Sequence, residues 1–188
     1  MKTTFCLLAL LLPLLAAAQT PPAAKLVPAL SEIAFTSRQM GVPVEGRFRK
    51  FDAQVAFDPR QPETGRVTLT VDLASVAMGA AESEAEVAKP GWFNTAAFPQ
   101  ASFQSAAIKG LGGGRFEMSG KFTLKGQTRD LIVPVTLVQT GGTSTASGSF
   151  VVRRLDFRIG DGDWSDTSLV ANDVQVRFRL ALSGLPAP

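Results

Sequence analysis

The sequence predicts an all-β protein of eight antiparallel strands, with one short helix between the third and fourth. Three observations carry this reading. Apolar and polar residues alternate with period two along several segments, Gly-, Pro- and Asn-containing turns separate them, and only one stretch has helix-forming composition. The cleanest alternation is residues 115–125. Phe116, Met118, Phe122 and Leu124 share one face with Gly120, while Arg115, Glu117, Ser119, Lys121, Thr123 and Lys125 share the other.

The chain begins with a basic residue, Lys2, an apolar run over residues 5–15, and Ala16-Ala17-Ala18. This is the pattern of a secretory signal peptide, residues 1–18, cleaved after Ala18. The apolar run is shorter than the roughly 20 residues of a spanning helix. Gln19 stands where a lipid-anchored protein would have Cys. The expectation is a soluble exported protein with no stable membrane insertion. Residues 19–29 contain Pro21, Pro22 and Pro28 and read as an extended lead-in to one domain over residues 30–185.

Ile33 and Phe35 mark the first strand. The second covers residues 44–57, with Phe51, Ala53, Val55 and Phe57 on one face. Phe48 is out of phase, which predicts a bulge near Arg49-Lys50. The third strand, residues 66–74, places Val67, Leu69, Val71 and Leu73 together. Residues 77–88 are rich in Ala and Glu and predict a helix ended by Lys89-Pro90-Gly91. The fourth strand is residues 101–109, including Phe103. The glycine-rich hairpin 110–114 joins it to the fifth, residues 115–125, described above. The sixth, residues 131–138, carries Leu131, Val133, Val135 and Leu137 on one face, and its Pro134 predicts an edge, bulge or distortion. The seventh, residues 145–157, includes Phe150 and Val152. The eighth, residues 174–183, aligns Val174, Val176, Phe178, Leu180 and Leu182. Such a chain forms a sandwich or a closed barrel. Closure removes exposed edges, and eight strands can enclose one ligand.

Composition narrows the chemistry. The sequence has no His and no Tyr, and its single cysteine, Cys6, leaves with the signal peptide. The mature chain therefore lacks the commonest general base and metal ligand, any disulfide and any thiolate site. Nineteen basic residues against sixteen acidic ones are dispersed, a pattern unlike the basic stripe of a nucleic-acid binder. The carboxylates of residues 161–166 resemble a calcium loop only loosely, because Asp166 and Asn172 occupy the positions that require Gly and Glu. They read as a polar turn. Residues 110–114 lack the Gly-Lys-Ser/Thr ending of a phosphate loop and read as a hairpin. Glu82 and Glu86 share a helix face that reads as solvated. Arg153, Arg154 and Arg158, with Arg129 and Lys125, could grip a phosphate or carboxylate. The stronger reading is ordinary surface charge on strands. No catalytic residue, metal or cofactor is expected. Thirteen Phe and two Trp instead suggest a dry interior.

Four segments then resemble one family. Residues 44–51 (Val-Glu-Gly-Arg-Phe-Arg-Lys-Phe), 93–105 (Phe-Asn-Thr-Ala-Ala-Phe-Pro-Gln-Ala-Ser-Phe-Gln-Ser), 120–129 (Gly-Lys-Phe-Thr-Leu-Lys-Gly-Gln-Thr-Arg), and 154–160 (Arg-Leu-Asp-Phe-Arg-Ile-Gly) followed by Trp164 are similar, in order, to motifs of the YceI-like exported lipid-binding proteins. The resemblance covers about residues 26–183. It implies a lipocalin-like eight-stranded antiparallel β-barrel around a polyisoprenoid chain (a polyprenol or a quinone tail), a periplasmic location and a homodimer. The chain departs from the family at residues 82–89, Glu-Ser-Glu-Ala-Glu-Val-Ala-Lys, where the family often has an Arg-Asp-x-His-Leu element.

The resulting expectation is non-catalytic binding and transport of a long isoprenoid lipid. Its expected apolar lining is Phe35, Phe57, Leu69, Val71, Phe103, Phe116, Met118, Phe122, Leu124, Phe150, Phe178 and Leu180, with Phe93, Phe98 and Trp164 near the openings. Two alternatives differ in kind. One is an enzyme acting on an isoprenoid or quinone precursor through the 161–166 loop or the arginines. The other is a structural or interaction protein with a solidly packed barrel.

Overall fold

Alternating strands with one apolar face must cover that face and pair their edges, and here a single sheet does both by closing on itself. The computed structural model describes residues 23–187, so the signal peptide and residues 19–22 of the lead-in lie outside the described residues. Eleven strand segments occur among the described residues: β1 (Ala23–Leu26), β2 (Glu32–Gln39), β3 (Val42–Phe48), β4 (Phe51–Ala56), β5 (Arg66–Asp72), β6 (Val76–Ala77), β7 (Gln100–Gly112), β8 (Arg115–Leu124), β9 (Gln127–Thr140), β10 (Thr143–Arg153) and β11 (Asp173–Ser183). The ring β1-β4-β5-β7-β8-β9-β10-β11 returns to β1, giving a closed eight-stranded antiparallel barrel. The remaining segments lengthen three of its strands. β2 follows β1 along β11, β3 precedes β4, and β6 follows β5 to pair with β3.

Closure depends on residues read as lead-in. Ala23 and Ala24 pair with Ala56 and Val55, while Lys25 and Leu26 pair with Ser183 and Leu182. The Ser31 hydroxyl fixes the break between β1 and β2, donating to the Val27 carbonyl at 2.8 Å and accepting from the Ala181 N–H at 2.9 Å.

At Arg49-Lys50, where the sequence predicts a bulge in one strand, the chain instead breaks into β3 and β4. Ser75, in the 3₁₀ turn Leu73–Ser75, clasps it. The Arg49 N–H donates to the Ser75 carbonyl at 3.1 Å and the Lys50 N–H to its hydroxyl at 3.0 Å. The helix α1 (Ala81–Val87) is shorter than the expected 77–88, and Ala77 pairs with Arg47 in β6 instead. The Glu84 carboxylate accepts from the Met78 N–H at 2.9 Å and pins the approach to α1.

Two irregularities re-aim side chains. A bulge between Ser105 and Ala107 shifts the register of β7, so that Ala101, Phe103 and Ser105 are followed by Ile108 on the inner face. Pro134, lacking an N–H to give, sits one residue past Val135–Gly148, the last β9–β10 pair. Among the described residues, no helix is long and apolar enough to cross a membrane.

Candidate functional site

The barrel is hollow. Its interior holds a cavity of about 540 Å³ and a second of about 110 Å³. Leu69, Val71, Ala101, Phe122, Phe150 and Phe178 line both, forming a shared waist. Close-packed interiors have few voids larger than a water molecule, whereas ligand sites commonly span 300–1,000 Å³. A solidly packed barrel does not fit these volumes.

Small residues keep the lumen open by letting rings lie along the wall. Phe35 pairs with Gly46 and Phe178 with Gly148. A Cβ at Gly46 would overlap the Phe35 ring, and one at Gly148 would lie 2.7 Å from Phe178 and against the Pro134 carbonyl. Ala146 and Ser144 face Leu180 and Leu182 in the same small-against-large manner.

The smaller cavity is apolar apart from Ser102 and is lined by Phe57, Phe103, Phe116, Met118 and Leu180 besides the waist. Phe57 and Phe116 meet edge to face with centroids 5.2 Å apart. The larger cavity is lined by Phe35, Phe93, Leu124 and Trp164. Fourteen of the fifteen expected lining residues thus face one cavity or both. Phe98 does not, because its ring lies over Gly126 outside both. Sequence reading missed Ile33, Phe48, Leu73, Trp92 and Ile159 in the larger cavity. The signal for Ile33 and Phe48 was present, since Ile33 shares the phase of Phe35 and pairs with Phe48.

Polar groups gather at one end. Ser37 and Gln39 contribute from β2, and Glu82, Ser83 and Glu86 from α1. Glu82 is exposed and the Glu86 side chain 45% exposed, so the face read as solvated meets water while it borders the cavity. The Lys89 ammonium holds the Glu86 carboxyl below the usual carboxylate range, with a smaller contribution from Trp92.

Lys125, Arg129, Arg153 and Arg158 do meet around the 153–158 turn, whereas Arg154 turns inward. Arg154, read as surface charge, is only 2% exposed. Its Nε donates to the Ala171 carbonyl at 3.1 Å, its Nη1 to Ile159 and Gly160 at 2.8 Å each, and its Nη2 to Trp164 at 2.6 Å and Val170 at 2.7 Å. Burial lowers its pKa from the ordinary guanidinium value, and carbonyl dipoles stand in for a counter-ion. It ties the 159–171 loop to the end of β10. Gly160 makes room for it, with φ of 63° and a would-be Cβ 2.7 Å from Nη1. Arg153 pairs with Asp156 at 3.0 Å. Arg129 donates to the Asp156 carbonyl at 2.9 Å and lies over Phe157, and Lys125 donates to the Arg158 carbonyl. In the 161–166 turn, Asp166 Oδ1 accepts from the Ser168 N–H and hydroxyl, and Trp164 packs on Trp92 with centroids 6.1 Å apart.

The same barrel occurs in known proteins. BcnA of Burkholderia cenocepacia superposes with a TM-score of 0.81 at 41% identity, over 84% of this chain and 99% of that one. A polyisoprenoid-binding domain from Saccharophagus degradans gives 0.71 at 17% identity, over 87% and 99%. The Campylobacter jejuni YceI protein gives 0.70 at 17% identity, over 76% and 86%. These last two likenesses show the shared fold. A UPF0312 protein of Azotobacter vinelandii is 30% identical over 96 residues, 51% of this chain and 50% of its own length. A Shewanella sp. (strain ANA-3) relative is 32% identical over 98 residues, 52% and 51%. The chain spans about half the length of the curated relatives it matches. The YceI-like domain matches residues 25–182, from the middle of β1 through all but the last residue of β11, and with the barrel shared with BcnA this shows that the chain belongs to the YceI-like family.

Proposed function

We propose that the protein binds and carries a long apolar lipid, a polyisoprenoid or an isoprenoid quinone, inside the barrel without transforming it. The observation that carries this reading is the pair of largely apolar cavities that share six wall residues, with Ser37, Gln39, Glu82, Ser83 and Glu86 lining only the larger. A long chain needs an extended dry lumen, and a head group needs a polar mouth. Each buried CH₂ is worth about 0.8 kcal/mol, so an isoprenoid chain binds through area alone once ordering costs are met. The polyisoprenoid-binding domain of S. degradans, which shares this fold, supports the same ligand class. Periplasmic residence belongs to the proposal, supported by the signal-like residues 1–18. So does a homodimer, supported by the family resemblance.

The enzymatic alternative is weaker on this geometry. Arg154 is engaged by five carbonyls and Asp166 by Ser168. Uptake of a polyprenol or quinone by Met118→Glu tests the carrier reading. A carboxylate in the wall of the smaller cavity costs several kcal/mol to desolvate, so uptake falls at least about tenfold in a variant with unchanged circular dichroism. Unchanged uptake in that folded variant would remove this wall from the ligand path.

A further inference from the structure

The hairpin between β2 and β3 turns through Met40-Gly41, with φ of 48° and 80°. Two successive left-handed residues form the tight turn normally supplied by Asn-Gly or Asp-Gly, since a large side chain is strained in that region. Here the first position is Met, and the fold does not cover it: Met40 is 70% exposed. A local preference broken without compensating packing is the kind of departure found at functional or strained positions.

Met40 is not isolated. Val42 is 64% exposed, Leu169 41% and Trp164 37%. The Met40 N–H donates to the Leu169 carbonyl at 2.7 Å, the Ala171 N–H to the Arg38 carbonyl at 2.9 Å, and Gln39 bridges Val170. Arg154 holds the same loop through Trp164 and Val170. The tip and loop are thus one built surface.

That surface continues the cavity wall. Gln39, Val44, Val170 and Trp164 line the larger cavity. Val42 lies two residues from Val44 on the same face of β3, so the inward apolar row runs out of the barrel onto the tip. The four exposed side chains offer roughly 400 Å² of apolar area, about half of what each partner in a stable dimer buries. Such an area is small for a second copy and sufficient for shallow insertion among lipids. The loop beside it carries Asp161, Asp163 and Asp166, and α1 brings Glu82 to the cavity, while exposed Arg38 donates to the Gly41 carbonyl at the tip itself, so the flanking charge is of both signs and suits a surface without net charge.

We infer that the Met40–Val42 tip and the Leu169 loop seat the cavity mouth on a zwitterionic lipid bilayer. An apolar cargo then passes between membrane and lumen without crossing water. The cargo rests on the carrier reading, whereas the docking does not.

The test compares the protein with Met40→Asn/Val42→Thr. Asn suits the left-handed turn and Thr keeps β-branching, so the variant folds as well as the parent or better. The readouts are flotation with phosphatidylcholine–phosphatidylethanolamine vesicles, quenching of Trp emission by brominated lipid, and uptake of a polyprenol from detergent micelles. The parent floats and is quenched. The variant loses both at least about tenfold while its micelle uptake is unchanged. A parent that does not float, a variant that floats equally well, or binding that appears only with anionic lipid would overturn the docking surface. Failure of the carrier reading looks different: neither protein takes up polyprenol, while tip-dependent flotation persists.

Discussion

A phenyl ring placed at Ala101 distinguishes a hollow barrel from a filled one. Ala101 is buried, pairs with Val71 across β7 and β5, and lines both cavities at their waist. In a close-packed core the added ring would cost about 1–3 kcal/mol in overpacking. In this lumen it enters void. Filling roughly 80 Å³ at about 24 cal/mol per Å³ contributes about 2 kcal/mol, against about 0.5–1 kcal/mol to order the side chain. Ala101→Phe should therefore stabilise the fold by about 1 kcal/mol and raise Tm by about 2–4 °C. The same ring obstructs the waist, so long isoprenoids should lose uptake more than short ones confined to the larger cavity. Thermal circular dichroism and uptake across a chain-length series measure the two effects. A Tm fall of about 5 °C or more, or unchanged uptake of the longest chain, would refute the reasoning.

Arg154→Met removes donors from five carbonyls in a buried setting and should cost about 3–5 kcal/mol, lowering Tm by roughly 10 °C; a loss under about 1 kcal/mol in urea titration would remove the clamp role. The Ser168 hydroxyl and backbone N–H hold the Asp166 carboxyl below its ordinary value of 3.8. Its stabilising contribution is thus fully present above that value and is lost as pH falls through the lower folded pKa. Asp166→Asn should flatten this acid limb in Trp fluorescence, and an unchanged limb would contradict the assignment.

Much of the barrel is readable in the chain because alternation states which side of a strand is wet. The rows Val67–Leu69–Val71, Phe116–Met118 and Leu131–Val133–Val135–Leu137 all face inward. The same alternation does not distinguish a packed interior from an open one. That distinction depends on register, which brings Gly46 beside Phe35 and Gly148 beside Phe178. Residues 23–26 carry too short a pattern to mark a strand, and their pairing arises from what flanks them. Arg154 had a usable signal. It continues the inward phase of Phe150 and Val152, where an unpaired charge must find buried acceptors. Glu82 and Glu86 share a helix face in the sequence, but whether that face meets water or a cavity depends on where α1 docks. Phe98 was misplaced for the opposite reason: a Phe in a turn has no strand phase, and this one covers Gly126.

The most direct test of lipid carriage is organic extraction of the purified protein followed by mass spectrometry of the extract, with reconstitution of any lipid-free fraction. Stoichiometric recovery of an isoprenoid is the expected result. An extract without lipid, together with no uptake of polyprenol or quinone on reconstitution, would contradict it.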